Sequence, residues 1–110
     1  MRKGEIWRGR LPYVPGHVQA GERPVLIIQN DAFAALPTIL VVPFTGTLGS
    51  ARFPGTLVVA PDGRNGLVAS SVALVFQARA VDKQDLIYRL GVLDPATLAQ
   101  VVSLLGQLTA

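Results

Sequence analysis

The sequence contains no cysteine. That removes disulfides, thiolate nucleophiles and cysteine-based zinc sites together, and it suits a cytoplasmic protein. The only histidine is His17, so no multi-histidine metal site can form and no metal-binding residues are expected. Glutamate occurs only at Glu5 and Glu22, which leaves few carboxylates for acid–base work. No apolar run approaches the roughly 20 residues of a membrane span. Pro43, Gly46, Gly49 and Pro54 interrupt the longest, and no membrane association is expected. The opening Met1-Arg2-Lys3-Gly4-Glu5 lacks the apolar stretch of a signal peptide. P-loop, GxGxxG, HExxH and GxSxG motifs are all missing, and no cofactor is expected.

What is present suits one domain over residues 1–110. Half of the chain is apolar, enough to fill a core. The formal charge is +3, carried mostly by arginine. Arginine offers a planar fork of donors that matches phosphate, so the bias points toward nucleic acid, although a solvated basic surface would look the same.

Residues 5–11 have the period of a half-buried strand, with Trp7 and Leu11 on one face and Arg8 and Arg10 on the other. Two prolines and two glycines make residues 12–21 a loop, and its length is of the kind that carries function. Residues 23–29 and 38–44 read as buried strands, with a short helical turn at 32–35 between them. Further strands are predicted at 56–59, 71–76, 78–81 and 86–93. Short strands with frequent Gly and Pro punctuation predict an α+β, mainly β chain folded as a small barrel. At the C-terminus the period changes. Asp94 is a good N-cap, Pro95 sits at the first helical position, and Leu98, Val101, Val102, Leu105 and Leu108 follow at helical spacing.

Chemistry is to be sought at the loop ends. Arg23 precedes one buried strand and Thr45-Gly46-Thr47 ends the next. If the two strands are neighbours, an arginine, a hydroxyl and glycine-freed main-chain N–H groups converge as a phosphate cradle.

The chain resembles the MazF/PemK family of toxin–antitoxin ribonucleases. The resemblance rests on Arg2-Lys3-Gly4-Glu5-Ile6-Trp7, on Arg23-Pro24-Val25-Leu26-Ile27-Ile28-Gln29-Asn30-Asp31, and on Val42-Pro43-Phe44-Thr45. It continues through Gln77-Ala78-Arg79-Ala80-Val81-Asp82-Lys83 and Leu90-Gly91-Val92-Leu93, in the family's order along nearly the whole chain. It implies an SH3-like barrel of the CcdB/PemK kind with a C-terminal helix, a homodimer, and an antitoxin that blocks the active surface. It implies metal-independent, sequence-selective cutting of single-stranded RNA, often mRNA, by attack of the RNA's own 2′-hydroxyl on the adjacent phosphate.

By the same resemblance Arg23 and Thr45 stand at catalytic positions. His17 is the remaining catalytic candidate, and Gln19, Thr47 and Gln77 are candidate RNA contacts. The chain departs from its relatives at Val18, where many carry Glu. It departs again at Leu74 and Phe76, where some place Arg and Asp. No carboxylate is left in either place, and His17 is the nearby group whose ordinary proton affinity suits transfer near neutral pH.

The other reading of each residue is structural. Arg23 could bind loop carbonyls, Thr45 or Thr47 could cap a strand, and Gln77 could be a buried amide. Trp7 is expected in the core rather than under a base, and Arg79 with Asp82 as a structural ion pair. The rival function is a toxin of the same fold that binds and poisons DNA gyrase, which would need neither Arg23 nor Thr45. A second rival is an inactive RNA- or protein-binding module, which the apolar Leu74 and Phe76 keep open.

Overall fold

The structure is a computed structural model that describes residues 1–12 and 20–110. Seven strands and one helix follow in order: β1 (Glu5–Leu11), β2 (Gly21–Ile27), β3 (Thr38–Thr45), β4 (Thr56–Val59), β5 (Ser71–Leu74), β6 (Arg79–Asp82), β7 (Leu86–Val92) and α1 (Pro95–Thr109). All pairings are antiparallel, in the order β4-β5-β3-β2-β1-β7, with β6 on β3. The expected strand at 71–76 is shorter than its apolar run because one edge of β3 serves two strands. Phe44 pairs with Ala73 of β5, and Val41 pairs with Arg79 of β6. The chain leaves the ladder between them in the 3-10 turn Val75–Gln77.

The sheet coils, and that coiling divides the core in two. β6 lies on β3 and β7 lies on β1, yet the two are consecutive in the chain, joined by the 3-10 turn Lys83–Asp85. Leu11, Val25, Ile27, Ile39, Val41, Val81 and Leu86 fill the space so enclosed, and Trp7 packs against them. These residues come from five strands, which makes this cluster the barrel interior. No ladder closes β6 onto β7 among the described residues, so the barrel is open. The other face of β1, β2 and β3 buries Ile6, Leu26, Val42 and Phe44 under β4, β5 and α1. Burial on both faces explains the near-continuous apolar runs of β2 and β3. It also explains why Ile6 is buried although it shares its strand phase with the outward Arg8 and Arg10.

Helix α1 starts where its sequence says it should. The Asp94 carboxylate accepts the Thr97 N–H at 3.0 Å, and Pro95 occupies the first turn. Val101 is fully buried, with Leu98, Leu104 and Leu105 beside it against the core. Val102 and Leu108, expected on that face, are exposed instead. The core-facing stripe is narrower than the apolar stripe of the sequence, because one side of the helix alone meets the sheet. No helix among the described residues is long and apolar enough to cross a membrane.

The cap gives a pH-dependent prediction. The Thr97 side-chain and main-chain hydrogen bonds hold the Asp94 carboxyl below its usual range. A group whose proton affinity is depressed by folding stabilises the fold above its unfolded value, and that support fades as pH falls through the lowered folded value. Asp94→Ala should therefore melt several degrees below the wild type at neutral pH. The gap should close on acidification, as thermal scans across the acid range would register.

Candidate active site at the barrel mouth

Strand alternation decides which side chains reach the open end of the barrel. On β2, Arg23 follows the inward phase of Val25 and Ile27. On β3, Thr45 follows the inward phase of Ile39 and Val41. The β2–β3 register pairs Val25 with Pro43 and Ile27 with Val41. Carried one inward step further, that register sets Arg23 against Thr45. The hydrogen bonds agree. Arg23 Nη1 donates to the Phe44 carbonyl, the main-chain group directly before Thr45, at 3.3 Å. Arg23 Nη2 donates to the Ala20 carbonyl at 2.9 Å. The guanidinium is thus anchored across the end of the barrel, between the two strands whose convergence the sequence left conditional.

Thr45 is buried, with 6% of its surface exposed. Its Oγ1 accepts the Thr47 N–H at 3.2 Å, which occupies a lone pair and leaves the hydroxyl proton to donate elsewhere. Thr47 is exposed and precedes the 3-10 turn Leu48–Arg52 without capping it through its side chain. Of the two threonines, Thr45 is therefore the one held in place. Gln77 is buried in the turn Val75–Gln77, with 7% of its surface exposed. His17 and Gln19 lie outside the described residues.

The structure adds a residue that sequence reasoning missed. Arg79 shares the inward phase of Val81 on β6 and pairs in register with Val41. It thereby comes to the same barrel end as Arg23. Burial lowers the proton affinity of the Arg23 guanidinium, and the charges of Arg8 and Arg79 lower it further. The expected Arg79–Asp82 ion pair is replaced by a different arrangement. Alternation turns Asp82 to the exposed face, where its carboxylate accepts the Gln84 N–H at 2.8 Å. The signal that could have found Arg79 is the shared pattern of β2 and β6, an arginine two residues before a buried valine.

No carboxylate among the described residues is turned toward Arg23. Glu22 faces outward, 3.6 Å from Arg8 and 4.0 Å from Arg10. Burial pushes the Glu5 carboxyl up. Hydrogen bonds from Trp7 Nε1 at 3.0 Å and the Arg2 N–H at 2.9 Å, with the charges of the N-terminus and Arg89, bring it below its usual value. It lies four residues along β1 from Gly9, the partner of Arg23, or roughly 13 Å away at a strand's rise. Trp7 is held by this bond against the barrel core, as expected. Leu74 is fully buried, and the Phe76 ring lies tilted against Phe53 with ring centres 5.9 Å apart, so both positions serve apolar packing here. The described residues hold no cluster of three or more His, Asp or Glu side chains able to bind a metal.

A guanidinium beside a hydroxyl, with a second guanidinium nearby, is equipped to bind a phosphate group and to absorb charge that develops on it. Comparison with known proteins agrees with that chemistry. The Endoribonuclease MazF of Staphylococcus saprophyticus is 36% identical over 102 residues, covering 92% of this chain and 84% of the relative. The Endoribonuclease EndoA of Bacillus subtilis is 35% identical over 102 residues, covering 92% and 87%. Among solved structures, MazF from Deinococcus radiodurans matches with a TM-score of 0.83 at 23% identity, covering 99% of this chain and 96% of that one. A mycobacterial endoribonuclease in complex with its cognate antitoxin matches with a TM-score of 0.77 at 22% identity, covering 99% and 94%. At such identities the two structures establish the fold alone. The sequence profile described as the PemK-like, MazF-like toxin of type II toxin–antitoxin systems matches residues 2–109. On that match and on relatives more than a third identical over nearly its whole length, the chain belongs to the PemK-like, MazF-like toxin family.

Proposed function

We propose that this protein is the toxin endoribonuclease of a toxin–antitoxin pair, acting in the cytoplasm on single-stranded RNA, mRNA above all, at short specific sequences. The observation that carries the reading is the Arg23 guanidinium anchored beside Thr45 at the barrel mouth, in a chain whose relatives are named endoribonucleases. Those names favour RNA cleavage over poisoning of gyrase.

The reaction needs little more than these groups. The RNA 2′-hydroxyl attacks the adjacent phosphorus, the bond to the 5′-oxygen breaks, and the 2′-proton is lost while the leaving oxygen gains one. The upstream fragment keeps a cyclic phosphate and the downstream fragment a 5′-hydroxyl. Negative charge grows on the phosphate's outer oxygens as the new bond forms. Arg23 meets that charge with a rigid fork of donors, and Thr45 with its hydroxyl proton. Arg79 adds positive charge at the same end of the barrel. His17 is the group to move the proton, as base toward the 2′-hydroxyl or as acid toward the leaving oxygen. Gln19, Thr47 and Gln77 are the remaining RNA contacts of this reading. The active form is a homodimer, and an acidic antitoxin segment covers the basic mouth.

Incubating the protein with a long RNA in EDTA tests this reading. Discrete cuts with a cyclic phosphate upstream and a 5′-hydroxyl downstream are expected. Strict dependence on magnesium, or a gel shift without cutting, would overturn it. The same assay across pH reports on His17. The wild type should show a limb near the imidazole's ordinary value of about 6.5, and His17→Ala should lose that limb.

A further inference from the structure

On the outside of the barrel, behind the catalytic pair, lies a groove of about 370 Å³ that the proposed reaction does not use. One wall is the cross-strand pair Arg8 and Tyr88. Tyr88 is half exposed, at 50%. Leu67 and Leu90 give the groove an apolar floor. Its near end is formed by Pro24 and Gly46, the chain neighbours of Arg23 and Thr45. We infer that this groove is a nucleoside subsite, in which one base flanking the scissile phosphate stacks on Tyr88 while its backbone passes Arg8.

The inference rests on the ribonuclease reading and names where that substrate continues. Three features select the occupant. An exposed aromatic ring above an apolar floor fits the flat face of a base and tolerates any of the four. The rim is positive: Arg8 and Arg10 share one carboxylate, Glu22, so a net positive charge remains for a phosphate backbone. The groove also reaches the rim of the barrel mouth, since Pro24 and Gly46 line it and each lies one residue from a catalytic candidate. At Gly46 an added Cβ would meet none of the described residues within 4 Å, which leaves room among them for a strand to cross the rim.

The test begins by mapping a cut made by the wild type, then synthesises RNA oligonucleotides around it. One deoxyribose at the cut site removes the attacking hydroxyl and leaves binding measurable by fluorescence anisotropy. Tyr88→Ala should weaken Kd about tenfold to a hundredfold, and Tyr88→Phe should keep wild-type affinity, because stacking requires the ring and not the hydroxyl. Val68→Glu is a second variant. Val68 lines the groove and is fully exposed, so the change spares the core. Its carboxylate should weaken binding more strongly at low salt than at high salt. Both losses should vanish on oligonucleotides trimmed back from one end. Unchanged Kd in both variants at every length overturns the subsite and leaves the ribonuclease reading intact, and the groove would then serve a peptide or nothing. A wild type that cuts no RNA overturns the ribonuclease reading, and the subsite falls with it.

Discussion

Replacing Arg23 by alanine should cut the cleavage rate about 100- to 1000-fold, the range for removing one preorganised donor from the site of developing charge. Arg23→Lys should recover little of it. Lysine restores a point charge, but it cannot hold two carbonyls and a phosphate oxygen in one plane. The two main-chain bonds of Arg23 make the residue a clamp as well, joining the Ala20 and Phe44 carbonyls. Arg23→Ala should therefore melt below the wild type while remaining folded, since each lost bond leaves a carbonyl to be satisfied by water. The two roles separate in paired measurements of turnover and melting temperature. A catalytic Arg23 loses rate far beyond what its loss of stability explains, in Arg23→Lys as in Arg23→Ala. If Arg23→Lys restores both together, the residue is a structural clamp only.

The largest loss of stability is expected at Gly91. There β7 crosses the loop that follows β4, and Val92 N–H donates to the Arg64 carbonyl at 2.9 Å. A Cβ on Gly91 would overlap that carbonyl and lie 2.6 Å from the Asn65 carbonyl carbon. Both obstacles are main chain, so no side chain can swing aside. From the loop side, Gly66 faces the Leu90 main chain in the same way, with φ at +73°. Gly91→Ala must separate the two segments and break their hydrogen bond, at a cost of about 3 kcal/mol or more. In a chain of this size that lowers Tm by roughly 15 °C. Gly106→Ala is the control of opposite sign. Gly106 lies within α1, where a Cβ meets none of the described residues within 4 Å. Alanine there should stabilise by about 0.5–1 kcal/mol through helix propensity alone. Calorimetry of the two variants should show opposite shifts in Tm, down for Gly91→Ala and up for Gly106→Ala.

Both predictions depend on distant segments meeting, and that is where the sequence stops being informative. Local periods and turn residues are enough for single elements. Glu5–Leu11 and Thr56–Val59 begin and end where alternation and the flanking Gly and Pro say. Asp94-Pro95 starts α1, because an N-cap carboxylate and a proline at the first helical position act within one turn of chain. The family resemblance was likewise visible in the order of short motifs, and with it Arg23 and Thr45.

The tertiary structure alone decided the rest. A period of two says that a strand has two faces, but not that both faces of β1, β2 and β3 are buried, or against what. It cannot say that β5 and β6 share one edge of β3, which ends the 71–76 run at Leu74. Arg79 reached the site by the same route. In the chain it stands close to Asp82, with Ala80 and Val81 between, and reads as half of an ion pair. In the barrel its register partner is Val41, and Arg23 becomes its neighbour. The physical reason is common to all three. Side-chain periodicity is a property of a few consecutive residues, whereas pairing register is set by how the whole sheet coils to bury its apolar faces.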